Sequence, residues 1–203
     1  MIETHTDIVL DRHRSFLGRY CPEQWWPYIL LMRLDRPVGA LLLLWPCLWG
    51  YFLMVGPTFS LRYIMLFLLG AFIMRSVGCI LNDIADHKID TYVTRTQKRP
   101  LPSGLLSLKQ AFVCLGVLSA FGLGVLFFFN TITIYAGLSV VGLIILYPFT
   151  KRWTYWPQIF LGLTFNWGVW VGAFATGNAL DIPLNLLLYG AAVFWTVGYD
   201  SIY

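Results

Sequence analysis

The sequence predicts an all-α fold, a polytopic transmembrane helix bundle. Two observations carry that expectation. Hydrophobic residues make up 58% of the 203 and charged residues 12%, whereas charged residues are roughly a quarter of an ordinary soluble domain. Apolar stretches long enough to cross a bilayer, about 20 residues each, also recur, at 37–55, 63–81, 111–129, 131–149, 158–176 and 182–199. Six helices are therefore expected. A large soluble protein with buried helices would need polar faces on these segments, and "LLLLWPCLWGYFLMV" has none.

The elements follow in order. Residues 1–27 form a polar lead-in, with Arg12, Arg14 and Arg19 set against Glu3, Asp7, Asp11 and Glu23. It lacks the apolar core of a cleavable signal peptide and is too acidic for a mitochondrial presequence. A cytosolic segment and a bacterial source are expected. Residues 28–203 form one transmembrane domain with short connections, "GPTFSL", "NT", "KRWTYWP" and "TGNALDIP". The exception is the long connection at 83–109, "DIADHKIDTYVTRTQKRPLPSGLLSLK".

Basic residues sort by side. The lead-in and the start of the first helix hold Arg12, Arg14, Arg19, Arg33 and Arg36; the long connection holds Lys88, Arg95, Lys98, Arg99 and Lys109; and the fourth connection holds Lys151 and Arg152. The positive-inside rule then places the N-terminus in the cytosol. Asp35, Asp83, Asp86, Asp90 and Asp200 fall at the same helix ends, so the chemistry is expected on the cytosolic side of a bacterial inner membrane. Trp25, Trp26, Trp153, Tyr155 and Trp156 suit an interfacial aromatic belt. The four cysteines (Cys21, Cys47, Cys79 and Cys114) and three histidines show no metal or disulfide spacing, and the cysteines read as small buried hydrophobes.

The most informative stretch is "LNDIADHKID", residues 81–90. Residues four apart on a helix lie above one another, so Asn82, Asp86 and Asp90 make one stripe with Asp83 beside it. Stacked like charges destabilise a helix unless something offsets them. A divalent cation does so: carboxylate and amide oxygens suit Mg²⁺, which commonly takes one or two carboxylates plus substrate phosphates. A solvated acidic helix end is the bland alternative, but acids at a membrane helix end are costly and usually functional.

Basic side chains supply the second half. "TRTQKRPLPSG" offers Arg95, Lys98 and Arg99 in a segment that Pro100, Pro102 and Gly104 keep from becoming helix. "YPFTKR" brings Tyr147, Lys151 and Arg152 to the cytosolic side. The pattern suits a highly charged anion, with metal on the aspartates and Lys/Arg on the remaining phosphate oxygens. Arg75 sits within an apolar stretch about 12 Å deeper than Asp83, where a charge needs a partner such as a substrate carboxylate or an acid. Arg33, Asp35 and Arg36 raise the same question at headgroup level. Asn166 reads as a helix-to-helix hydrogen bond or a ligand, and "GVWVG" as a close helix contact.

"NDIADHKIDTYVTRTQKRPLPSG" resembles the first aspartate-rich motif, NDxxDxxxD, of the UbiA-type membrane prenyltransferases, with the continuation of their ubiquinone branch. "RLDRPVGALLLLWPCLW" and "LYPFTKRWTYWPQIFLGLTFNWG" resemble the same branch, which prenylates 4-hydroxybenzoate. The resemblance covers about residues 25–203. It implies a nine-helix fold, of which six helices are present here. It also implies an enzyme using Mg²⁺ to hold a polyprenyl diphosphate, with Asn82, Asp83, Asp86 and Asp90 at the metal-diphosphate positions. Tyr147 and Lys151 fit its YxxxK element, and Arg152 follows. Arg75 or Arg33 would meet the benzoate carboxylate, and Arg99 would bind diphosphate. The catalytic residues implied are Asp86, Asp90, Lys151 and Arg152. The partners implied are the two substrates and the lipid bilayer, with no nucleic acid.

The family carries a second aspartate-rich motif on later helices, whereas this sequence ends at "GYDSIY", where Asp200 resembles the approach to it. The expectation is the N-terminal two thirds of such an enzyme, with half of the metal site. Three readings compete: another UbiA-type aromatic prenyltransferase, a transporter, which would bind near the bilayer midplane on broken helices, and a non-catalytic assembly subunit.

Overall fold

The computed structural model describes residues 16–56, 59–150, 153–177 and 181–202. Among them there is no strand. A short helix α1 (Phe16–Tyr20), a 3₁₀ turn (Glu23–Trp25) and α2 (Trp26–Leu31) precede α3 (Val38–Val55), α4 (Leu61–Asp90) and α5 (Leu108–Leu126). Then come α6 (Thr131–Ser139), α7 (Val141–Thr150), α8 (Pro157–Phe165), α9 (Gly168–Ala175) and α10 (Ile182–Ile202). Among the described residues six segments are long and apolar enough to cross a membrane: α3, α4, α5, α6 with α7, α8 with α9, and α10. The chain is an all-α, multi-pass membrane protein, as its composition predicts.

Two of the expected spans are interrupted. In the fifth, the Asn166 amide donates to Gly162 O (2.9 Å), Ala192 O (3.1 Å) and Thr196 Oγ1 (2.8 Å). That side chain takes up a carbonyl of its own helix, and the next turn tightens to Val169 N–H on Asn166 O. Asn166 is therefore a helix-to-helix tie, one of the two roles its sequence position allows. In the fourth, the Val140 N–H turns to Leu138 O between α6 and α7.

α4 is longer than its apolar part. Its 30 residues span about 45 Å, against about 30 Å of hydrocarbon, so the helix continues through the acidic motif. Nothing from Asn82 to Asp90 breaks a helix. It ends where Thr91 Oγ1 donates to Lys88 O (2.7 Å) and Tyr92 N–H to Ile89 O (3.0 Å). The long connection is thus non-helical only after Asp90. Ser107 and Gln110 restart the chain as α5 with a capping box, Ser107 N–H on Gln110 Oε1 and Gln110 N–H on Ser107 Oγ.

The chain forms two compact units. One holds the described residues up to Pro37 together with Arg75–Ser119. Its core is Leu31, Ile80, Leu106 and Ala111, flanked by Tyr28, Ile84 and Leu115. The other holds Val38–Met74 and the residues from Ala120 onward. Its core is Leu44, Tyr51, Phe67, Ala71 and Ala175, with Phe129 stacked on Tyr63 and Phe67.

Within that second unit α3 and α9 touch at backbone distance. A Cβ on Gly172 would overlap Cys47 O, and one on Gly50 would overlap Val169 O. "GVWVG" is therefore the close contact its small residues suggest. Gly172→Ala is expected to cost about 1–3 kcal/mol through forced separation of the helices, read as a lower melting temperature in detergent. Gly190→Ala meets nothing within 4 Å and is expected to be neutral or slightly stabilising.

Candidate functional site

The first unit gathers charge at the C-terminal end of α4. Asp83 is 2% exposed and Asp90 7%. Arg99 Nη1 donates to both, at 3.0 Å to Asp83 Oδ1 and 2.8 Å to Asp90 Oδ2. The other Asp83 oxygen, Oδ2, lies 3.5 Å from Arg33 Nη2. Asp83 thus faces a guanidinium on each oxygen, and the four side chains alternate in sign: Arg33, Asp83, Arg99, Asp90. Helix geometry explains the choice of pair. Seven residues are nearly two turns, so Asp83 and Asp90 differ by only about 20° around the axis.

Local structure delivers each arginine. Arg99 sits in a run of tight turns. Thr96, itself buried, donates through Oγ1 to Asp90 O (3.1 Å), and Arg99 N–H donates to Thr96 O (2.9 Å). Pro100 is fully buried behind it, and Gly104 takes the left-handed backbone (φ 77°) that turns the chain back toward α5. The prolines and glycine that exclude helix from this stretch are the residues that shape it.

Arg33 arrives under strain. Its φ of 57° makes it the one non-glycine residue with positive φ among those described, a conformation that costs of order 1 kcal/mol or more. Two contacts hold this turn on α4: the Asp83 ion pair, and Ser76 Oγ donating to Met32 O at 3.0 Å. Ser76, 2% exposed, carries no signal in the sequence beyond its place next to Arg75.

Asn82 and Asp86 are half-buried on the same turn of α4. Their amide and carboxylate oxygens have the chemistry for a hard cation, and Mg²⁺ needs only one or two protein carboxylates where phosphates complete the shell. Among the described residues no three His, Cys, Asp or Glu side chains form a closed metal cage.

Arg75 lies two turns earlier on α4, half-buried, with no hydrogen bond or ion pair to any described residue. Tyr147 lies on α7, half-buried, in the second unit. Lys151 and Arg152 fall outside the described residues. His87 is turned back on its own helix, Nδ1 2.8 Å from Ile84 O.

A family model described as the UbiA prenyltransferase family matches residues 43–203. A 4-hydroxybenzoate octaprenyltransferase of Alcanivorax borkumensis is 49% identical over 178 residues, 88% of this chain and 61% of that protein. The mitochondrial 4-hydroxybenzoate polyprenyltransferase of Arabidopsis thaliana is 42% identical over 200 residues, 98% of this chain and 49% of that protein. The chain therefore spans about half to three fifths of the length of these curated relatives. The apo structure of a UbiA homolog from Aeropyrum pernix K1 matches with TM-score 0.71 at 29% identity, covering 83% of this chain and 63% of that one. A UbiA homolog from Archaeoglobus fulgidus bound to GPP and Mg²⁺ matches with TM-score 0.69 at 21% identity, covering 86% and 61%, a likeness of fold.

Proposed function

This chain belongs to the UbiA prenyltransferase family, and on that premise we propose that it carries the diphosphate-binding part of an enzyme that transfers a polyprenyl group from polyprenyl diphosphate to 4-hydroxybenzoate. The observation that carries the reading is the helix end where Asn82 and Asp86 offer oxygens while Arg99 and Arg33 crowd beside them on Asp83 and Asp90. Such a mixture suits an anion that arrives with its own cation: arginine donors take phosphate oxygens, and the acids take the metal. Curated relatives with that named activity, 41–49% identical, supply the acceptor.

Asn82 and Asp86 would hold Mg²⁺, with Asp90 and Asp83 beside them. When bound, the metal supplies charge that stabilises a leaving diphosphate. Arg99 adds directed N–H donors to the same oxygens. On the sequence resemblance, Tyr147, Lys151 and Arg152 are proposed as further diphosphate donors. The allylic C–O bond then breaks, diphosphate departs, and the ring carbon ortho to the hydroxyl forms the new C–C bond and loses its proton.

For the benzoate carboxylate, Arg75 is a better choice than Arg33. Arg33 already faces Asp83, whereas Arg75 is a cation in an apolar helix without a partner among the described residues, the condition under which a membrane arginine awaits one. The prenyl tail would lie among the apolar helices. The setting proposed is a bacterial inner membrane, with the N-terminus and the acidic end of α4 in the cytosol on the distribution of Lys and Arg.

The test is Mg²⁺-dependent incorporation of labelled 4-hydroxybenzoate into lipid by membranes holding a full-length protein that contains this chain. Incorporation that requires both polyprenyl diphosphate and Mg²⁺ is expected. Its absence from folded, abundant protein overturns the assignment.

A further inference from the structure

The acidic motif does not act as one stripe. We propose that Asp83 is a positioning residue for diphosphate binding and not a metal ligand: it holds Arg99 and Arg33 in place at the end of α4, while Asn82 and Asp86 carry the metal. The inference rests on the prenyl diphosphate reading above and divides labour within it.

Three observations support the division. Both Asp83 oxygens lie beside guanidinium groups, Oδ1 accepting a hydrogen bond from Arg99 Nη1 at 3.0 Å and Oδ2, which accepts none, in an ion pair 3.5 Å from Arg33 Nη2. To coordinate a cation, Asp83 would have to release an arginine from a setting where its own side chain is only 3% exposed, and a buried charge that loses its partner is strongly disfavoured. Next, Asp90 shares the same nitrogen of Arg99 at 2.8 Å, so one guanidinium is fixed from two sides. Arg99 keeps its other N–H groups, since five donors stand on a planar fork, and its side chain is 23% exposed, open enough to meet an anion. Third, the Arg33 turn has a left-handed residue at its centre and is fastened to α4 through Asp83 and Ser76. Strain of that kind persists when surrounding contacts over-determine it, and it clusters at ligand clamps.

A side chain shared by two segments is a hub. Asp83 ties the turn before α3 and the turns after α4 to one point on the helix, and both segments bring basic residues. A preorganised arginine loses less freedom on binding an anion than one that must be ordered by it. The carboxylate at Asp83 therefore does its work in the absence of substrate, before phosphate or metal arrives.

The proposal separates two affinities. Inorganic pyrophosphate binding without metal reads the arginines, and Mn²⁺ binding without pyrophosphate, followed by electron paramagnetic resonance, reads the metal ligands. Both are measured on a purified full-length protein that contains this chain, in detergent. Asp83→Asn is expected to weaken metal-free pyrophosphate binding about tenfold, the scale of a charge-assisted hydrogen bond, and to lower Mn²⁺ affinity far less than Asp86→Asn does. Asp86→Asn is expected to do the reverse. Arg99→Gln should match Asp83→Asn, and the double variant should be no worse than either single one, because both remove the same positioned donor.

An Mn²⁺ affinity that falls with Asp83→Asn as far as with Asp86→Asn overturns the proposal, as do additive losses in the double variant. Where Asp83→Asn does not fold, Arg99→Gln decides: unchanged pyrophosphate affinity overturns the proposal, and a tenfold loss with Mn²⁺ intact supports it. Full-length wild-type protein that binds neither probe defeats the diphosphate reading itself, which is a different result from either variant outcome.

Discussion

Asp86→Asn is expected to lower prenyl transfer by about 10²–10³-fold at saturating substrates, the scale of losing one preorganised group that stabilises transition-state charge. The substitution keeps size and hydrogen bonding and removes the negative charge. Asp86 lies one turn after Asn82 on α4 and is the acid assigned to the metal in the division argued above. A second signature separates a metal role from a structural one. Raising Mg²⁺ should recover part of the rate, because a weakened site fills at higher concentration, whereas a misfolded protein recovers nothing. The measurement is labelled 4-hydroxybenzoate incorporated per unit of protein across a Mg²⁺ series. An unchanged rate would favour a non-catalytic assembly role for the α4 motif.

Arg75→Gln is expected to raise the KM for 4-hydroxybenzoate by about 10–100-fold, the worth of a hydrogen bond to a charged group, with the KM for polyprenyl diphosphate unchanged. The split follows from position. Arg75 stands about two turns before Asp83, toward the apolar body of the helix, where a small aromatic acid and a prenyl tail would meet. Arg75→Lys keeps the charge but loses the planar fork that grips a carboxylate by two bonds, so an intermediate KM is expected. Equal rises in both KM values would place Arg75 with the diphosphate instead and leave the benzoate carboxylate to Arg33.

The two variants probe a helix whose content was readable in different ways along its length. Membrane character and the number of spans follow from hydropathy alone, because the hydrocarbon thickness sets a length that any crossing helix must meet. The acids of residues 82–90 were legible for the same reason inverted: charge at the end of an apolar run has a cost that calls for an explanation. The interruption at Asn166 was visible only as a lone polar residue. Its three acceptors are Gly162 O on its own helix and Ala192 O and Thr196 Oγ1 on α10, 26 and 30 residues away, and spacing does not reveal such partners.

Two limits of pattern reading appear at the site. Stacking by fours joined Asn82, Asp86 and Asp90, yet the closer angular match is between Asp83 and Asp90, and a loop arginine made use of it. Arg33, Asp83 and Arg99 lie 50 and 16 residues apart in the chain, far beyond what helical periodicity can couple. The amino-acid sequence by itself determined a six-span α-helical membrane protein, the acidic end of α4, the basic segment after it and the family to which they belong. Only the tertiary structure decided which carboxylate meets which guanidinium. Periodicity specifies the face of a single helix, while the partners on that face are chosen by turns and packing from distant segments, and the pairing that buries Asp83 between Arg33 and Arg99 is the one the fold adopts.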